Sequence, residues 1–136
     1  MEFDKENYDF PDINKCNVAI IGLGYVGLPL AVEIAKKQKS NLSGESIDRK
    51  VIGFDINQKR IEELRNGYDR TNEISQSHNL SNVFIDLTND FKKLTLADIF
   101  IITVPTPIDN ARRPDFSALK SACELIGKVL IEKNNE

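Results

Sequence analysis

The stretch that most constrains this chain is Asn17 to Leu30, NVAIIGLGYVGLPL. Val18 to Ile21 is an apolar, largely β-branched run of the length expected of a buried strand. It passes without a spacer into Gly22-Leu23-Gly24-Tyr25-Val26-Gly27, a G-x-G-x-x-G. Leu28 to Lys37 then has a helical pattern, with Val26, Leu30 and Ile34 expected on one face. Strand, glycine turn and helix in that order form the context of a dinucleotide-binding turn. Gly22 allows the tight turn, Gly24 lets the backbone approach a pyrophosphate, and Gly27 lets helix and strand pack closely. The phosphates are expected on unpaired N–H groups at the helix N-terminus, where the helix dipole favours negative charge.

A second strand, Val51 to Phe54, ends in Asp55, an acid placed to accept the adenosine ribose hydroxyls. The usual interval beyond the glycines is about 20 residues, whereas here 28 positions separate Gly27 from Asp55. The polar, Ser-rich stretch from Lys39 to Arg49 accounts for the excess as a surface loop. A carboxylate at Asp55 disfavours a 2′-phosphate, so NAD is expected over NADP. Asn57 is the expected N-cap of a helix from Gln58 to Asn66, with Ile61 and Leu64 inward and Gly67 as its stop. Arg60 falls in the first turn, where the dipole disfavours a cation; this mismatch suggests a ligand, with a solvated surface arginine as the alternative.

Beyond a polar stretch, Tyr68 to Ser81, carrying the lone His78 as a surface residue, Val83 to Ile85 with Leu87 read as a third strand. Thr88 to Leu96 leaves room for a short helix or turn. Ile99 to Val104 reads as a strand buried on both faces of a parallel sheet. It runs into Pro105-Thr106-Pro107, which directs the chain out of the sheet. That strand end lies at the expected ligand crevice, where Thr106 could offer a hydroxyl. Asp115 opens a last helix whose apolar stripe is expected to be Phe116, Leu119, Ala122, Cys123, Ile126 and Leu130. The architecture is therefore α/β, a Rossmann-type doubly wound parallel sheet of strand order 3-2-1-4. Residues 1–16 read as an N-terminal tail and 17–136 as the dinucleotide-binding domain.

Composition narrows the classes. A net charge of −3 leaves no electrostatic footprint for nucleic acid or an anionic membrane. No apolar stretch approaches the roughly 20 residues of a membrane span, and the acidic N-terminus is unlike a signal peptide. Cys16 and Cys123 are too few for a disulfide scaffold or a zinc site, which points to a reducing, cytoplasmic setting.

Three segments together resemble the UDP-glucose/GDP-mannose dehydrogenase family: GLGYVGLPLA at 22–31, VIGFDIN with its following RI, L, NG, D, T and E at 51–73, and the FIITVPTPID and PDFSAL segments within 97–130. The branch they resemble most is that of the bacterial UDP-N-acetylglucosamine/galactosamine 6-dehydrogenases of surface-polysaccharide synthesis. The resemblance implies oxidation of the C6 hydroxymethyl of a UDP-sugar to a carboxylate in two NAD-dependent steps, through a cysteine-bound intermediate. It implies cofactor contacts from Gly22, Gly24, Tyr25, Val26, Gly27, Asp55, Arg60, Val104, Pro105 and Thr106. It also implies a homodimer for the whole enzyme. The family's catalytic cysteine, lysine and asparagine fall downstream of Glu136. The chain is thus expected to be the NAD-binding fragment, without turnover, metal or catalytic residues of its own. Its strand 99–104 would be left as an exposed edge open to self-association. The 40–49 insertion is a departure from the family pattern. The alternatives are an NAD-binding fragment of another Rossmann dehydrogenase, against which VPTPID and PDFSAL argue, and a stand-alone nucleotide-binding module without catalysis.

Overall fold

A computed structural model describes residues 11–73 and 84–134; His78 and Val83 lie outside them. The described elements are β1 (Val18–Ile21), α1 (Gly27–Lys36), β2 (Val51–Phe54), α2 (Gln58–Arg65), β3 (Asp86–Thr88), a 3₁₀ segment (Phe91–Leu96), β4 (Ile99–Ile102) and α3 (Ser117–Lys133). The strands form one sheet in the order β3-β2-β1-β4, and every pairing is parallel. Val18 is level with Val51 on one side and Ile99 on the other. All strands therefore end at the same edge, and β1 sits where the winding direction reverses. The crevice beyond the carboxyl ends of β1 and β4 is the place this topology reserves for a ligand.

Side-chain alternation divides the core into two layers. Val18, Ile20 and Val51 pack with Leu28, Ala31, Ile61 and Leu64 of α1 and α2. Ala19, Ile21, Ile52 and Phe54 pack on the other face with Leu94, Ala122 and Val129. Asn57 caps α2 through its Oδ1, which accepts the Arg60 N–H at 3.2 Å, and Gly67 follows the helix with φ +77°. Both ends of α2 thus form as its sequence dictates.

Four local expectations need correction. The face of α1 that buries fully is Leu28, Ala31 and Val32; Leu30 and Ile34 pack at its border, and Val26 is exposed. The third strand is Asp86–Thr88, so of the described residues expected in it only Leu87 belongs, while Phe84 is exposed and Ile85 precedes it. Backbone register with Ile52 to Phe54 selects that strand, while Ile85 and Leu87 still pack against the α1–α2 layer. Strand β4 is not buried on both faces: Ile99 is 39% exposed and the remaining residues are half-buried, because no described strand pairs with its outer side. Finally, Cys123 is exposed and Cys16 is buried. Helix α3 turns Ala122, Leu125, Ile126 and Val129 toward the sheet, a face offset from the expected stripe, and leaves Phe116 and Leu130 at the surface.

The stretch before β1 is held against the 39–49 loop. Asp48 N–H donates to Asn14 O at 2.8 Å, and Arg49 Nη2 donates to Ile13 O at 2.9 Å. This loop joins the end of α1 to the start of β2, so it lies at the opposite edge of the sheet from the crevice.

Candidate cofactor site

The turn after β1 is built by steric exclusion. Gly22 has φ +100°, a conformation that a residue with a side chain rarely adopts. A Cβ on Gly27 would collide with the carbonyl oxygen of Gly22 and with Thr103 Oγ1. Glycine at 27 therefore lets the start of α1 press directly on the turn. A Cβ on Gly24, by contrast, would meet no protein atom within 4 Å. Its glycine leaves room on the ligand side.

Hydrogen bonds then fix the turn from three directions. The Thr103 hydroxyl donates to the Gly22 carbonyl at 2.7 Å. The Leu23 N–H donates to Asp55 Oδ2 at 2.9 Å. The Leu23 carbonyl accepts from Arg60 Nε at 2.9 Å. Both polar groups of one peptide residue are thus held by the two charged side chains that the sequence singled out. Asp55 Oδ1 also accepts the Asn57 N–H at 2.9 Å. Each carboxylate oxygen has two lone pairs, so capacity remains for ligand hydroxyls.

The Arg60 side chain is 3% exposed and pairs through Nη2 with Asp69 Oδ1 at 2.8 Å. Its Nη1 is buried with no hydrogen-bond partner. A buried guanidinium nitrogen left unpaired costs free energy of order 1–3 kcal/mol or more, and a ligand oxygen would remove that cost. Among the described residues, the N–H groups of Gly24, Tyr25, Val26 and Gly27 donate to no acceptor either. Unpaired donors at a helix N-terminus favour an anion there.

Gly24, Asp55 and Arg60 border a cleft of about 900 Å³, at the upper end of the range for small-molecule and cofactor sites. Of the ten expected contacts, Gly22, Gly24, Asp55, Arg60, Val104 and Pro105 line it. Tyr25, Val26, Gly27 and Thr106 do not form part of its wall. Tyr25 is 68% exposed, Gly27 is buried beneath the turn, and Thr106 is exposed. The wall also includes residues that the sequence reading missed: Ile56, Arg70, Thr71, Asn89 and Thr103. Thr103 could have been found, since it directly follows β4 at the crevice. Thr71 and Asn89 carry no local signal.

The residues present therefore suit a dinucleotide: room at Gly24, free amide donors for a pyrophosphate, and a carboxylate at the tip of β2. Residues 16–135 match the description "UDP-glucose/GDP-mannose dehydrogenase family, NAD binding domain". The chain belongs to this family. It is 48% identical over 114 residues to Protein CapL of Staphylococcus aureus, covering 84% of this chain and 24% of that protein. It is likewise 48% identical over 113 residues to a UDP-N-acetyl-D-glucosamine 6-dehydrogenase of Pseudomonas aeruginosa, covering 83% of this chain and 24% of the relative. Among solved structures, a GDP-mannose dehydrogenase from Pseudomonas aeruginosa superimposes with a TM-score of 0.67 at 25% identity, over 86% of this chain and 26% of that one. The chain thus spans about a quarter of the length of the dehydrogenases it matches. Within the UDP-glucose/GDP-mannose dehydrogenase family it corresponds to the NAD-binding domain, and NAD is the cofactor.

Among the described residues, no helix is long and apolar enough to cross a membrane, and no cluster of His, Cys, Asp or Glu could hold a metal ion.

Proposed function

We propose that this chain is the cofactor-binding part of a nucleotide-sugar 6-dehydrogenase acting in the cytoplasm. Its substrate is a UDP-N-acetylhexosamine, whose C6 hydroxymethyl is oxidised to a carboxylate. The change from alcohol to carboxylate consumes water and removes four electrons, so two NAD molecules are reduced for each sugar oxidised. NAD, when bound, supplies the electron acceptor; the chain's own residues bind and orient it. In this reading the pyrophosphate lies on the N–H groups of Gly24 to Gly27, with Tyr25 and Val26 as further contacts. The adenosine ribose hydroxyls lie on Asp55, Arg60 Nη1 takes a ligand oxygen, Val104 and Pro105 border the far side of the crevice, and Thr106 meets the cofactor from beyond that wall. The observation that carries the reading is the row of free amide donors beside Asp55. Residues 17–136 act as this binding unit, with 1–16 as its leading tail. The whole enzyme forms a homodimer, and this chain alone pairs with copies of itself through the β4 edge.

Titration calorimetry tests the reading directly. NAD is expected to bind to the 136-residue chain, with NADP weaker and UDP-N-acetylglucosamine giving no heat. Absence of any NAD signal, or equal affinity for NADP, would reject it.

A further inference from the structure

The Arg60 guanidinium does not hold its position alone. We infer that Asp69 is a positioning residue for the cofactor turn, acting through Arg60. Asp69 lies nine residues beyond Arg60, in the loop that follows α2, and its side chain is only 8% exposed. Its Oδ1 accepts from Arg60 Nη2 at 2.8 Å, from the Thr71 hydroxyl at 2.6 Å and from the Thr71 N–H at 3.1 Å. Its Oδ2 accepts the Glu73 N–H at 3.1 Å. One buried carboxylate therefore organises its own loop and neutralises the arginine at the same time.

The consequence for the turn follows from peptide geometry. Arg60 Nε fixes the Leu23 carbonyl. No peptide among the described residues is cis, and in a trans peptide the C=O and the following N–H point in opposite directions. Holding the Leu23 carbonyl on Arg60 therefore directs the Gly24 N–H away from the guanidinium and sets the first of the unpaired donors at the helix N-terminus. Asp69 orients Arg60, Arg60 orients the Leu23–Gly24 peptide, and that peptide presents the donor. Arg70 and Thr71, which flank and bond Asp69, also line the cleft. The loop and the glycine turn thus form one coupled wall.

The link to cofactor affinity rests on the NAD reading, whereas the structural coupling can be measured without ligand. Amide hydrogen exchange of the ligand-free chain compares wild type with Asp69→Asn, which keeps the shape but removes the charge. The Leu23 N–H keeps its Asp55 acceptor but should exchange about tenfold faster or more as the turn that Arg60 anchors opens more often, while the Ile101 N–H of β4 stays unchanged. A purely local role would loosen Thr71 and Glu73 and leave Leu23 as it was, and that result overturns the inference. Should Asp69→Asn fail to fold, Arg60→Lys probes the same chain from its other end, because an ammonium lacks the guanidinium's fork. It too must loosen Leu23. In a second arm, Asp69→Asn should weaken NAD binding by about tenfold. Unchanged affinity in a variant whose Leu23 amide has loosened severs the link to the cofactor. If the wild type binds no NAD, the functional reading fails while the exchange data still judge Asp69.

Discussion

Asp55 accepts the amide N–H of Leu23 at 2.9 Å, across 32 residues of sequence. The strand-end acid therefore belongs to the glycine turn as well as facing the cleft beside it. Loss of the carboxylate would remove a ligand acceptor and also leave a turn amide unpaired. Asp55→Ala is expected to weaken NAD binding by about 1–3 kcal/mol and also to lower the melting temperature of the ligand-free chain. Calorimetry and a thermal scan measure the two effects separately. A variant with weaker binding and unchanged stability would show that the Leu23 contact contributes nothing.

The cofactor preference can be read from stability. NAD at saturating concentration should raise the melting temperature more than NADP at the same concentration, because binding to the native state stabilises it by mass action. The 2′-phosphate would lie beside the Asp55 carboxylate. Equal shifts would overturn the role of Asp55 in selecting NAD over NADP.

Thr103 offers a test of the turn with no charged group involved. Its hydroxyl donates to the Gly22 carbonyl at 2.7 Å, under the helix start that Gly27 brings close. Thr103→Val keeps the shape and leaves that carbonyl short of a donor, which costs about 1–3 kcal/mol. Urea unfolding should show a lower midpoint with an unchanged slope. An unchanged midpoint would indicate that water replaces the hydroxyl.

These residues also show what sequence can and cannot carry. The glycine spacing, the acid ending β2, and the Asn57 and Gly67 boundaries of α2 are local signals, each tied to backbone geometry within a few positions. The phase of α3 is not local. Its apolar residues make two overlapping stripes, one through Cys123 and one through Leu125 and Val129. Packing against the sheet and the 3₁₀ segment selects the second. Arg60 stood out as a cation misplaced in a first helical turn, but its partners Leu23 and Asp69 lie 37 and 9 residues away. No spacing rule connects them. The short β3 was misplaced because backbone pairing with β2, rather than its own apolar pattern, defines it.

At the other edge of the sheet, Asp98 ties three elements together. Its carboxylate accepts the Asn17 N–H at 2.9 Å and pairs with Lys133 at 3.0 Å. The Asn17 N–H is the main reason that its pKa lies below the ordinary aspartate value; partial burial opposes the shift and Lys133 adds to it. With the folded-state value lowered, the unfolded chain binds the proton first. The stabilisation is therefore complete above the unfolded value near 4 and is lost as pH falls through the folded value. Asp98→Asn should flatten the acid limb of stability against pH. An identical acid limb in the variant would assign it to other carboxylates.

The two edges of the sheet differ in protection. β3 is three residues long and carries the Asp86–Lys93 ion pair, at 2.9 Å, both recognised defences against edge pairing. β4 reads Ile-Phe-Ile-Ile, carries no charge, and pairs only with β1 among the described strands. Exposed apolar edges of this kind template pairing with another chain. The 136-residue chain is expected to self-associate as its concentration rises, and light scattering after gel filtration measures the change in mass. Ile99→Lys places a charge at the exposed start of β4, where Ile99 is 39% accessible, and should shift the population toward monomer. A wild-type chain that stays monomeric at millimolar concentration would overturn this expectation.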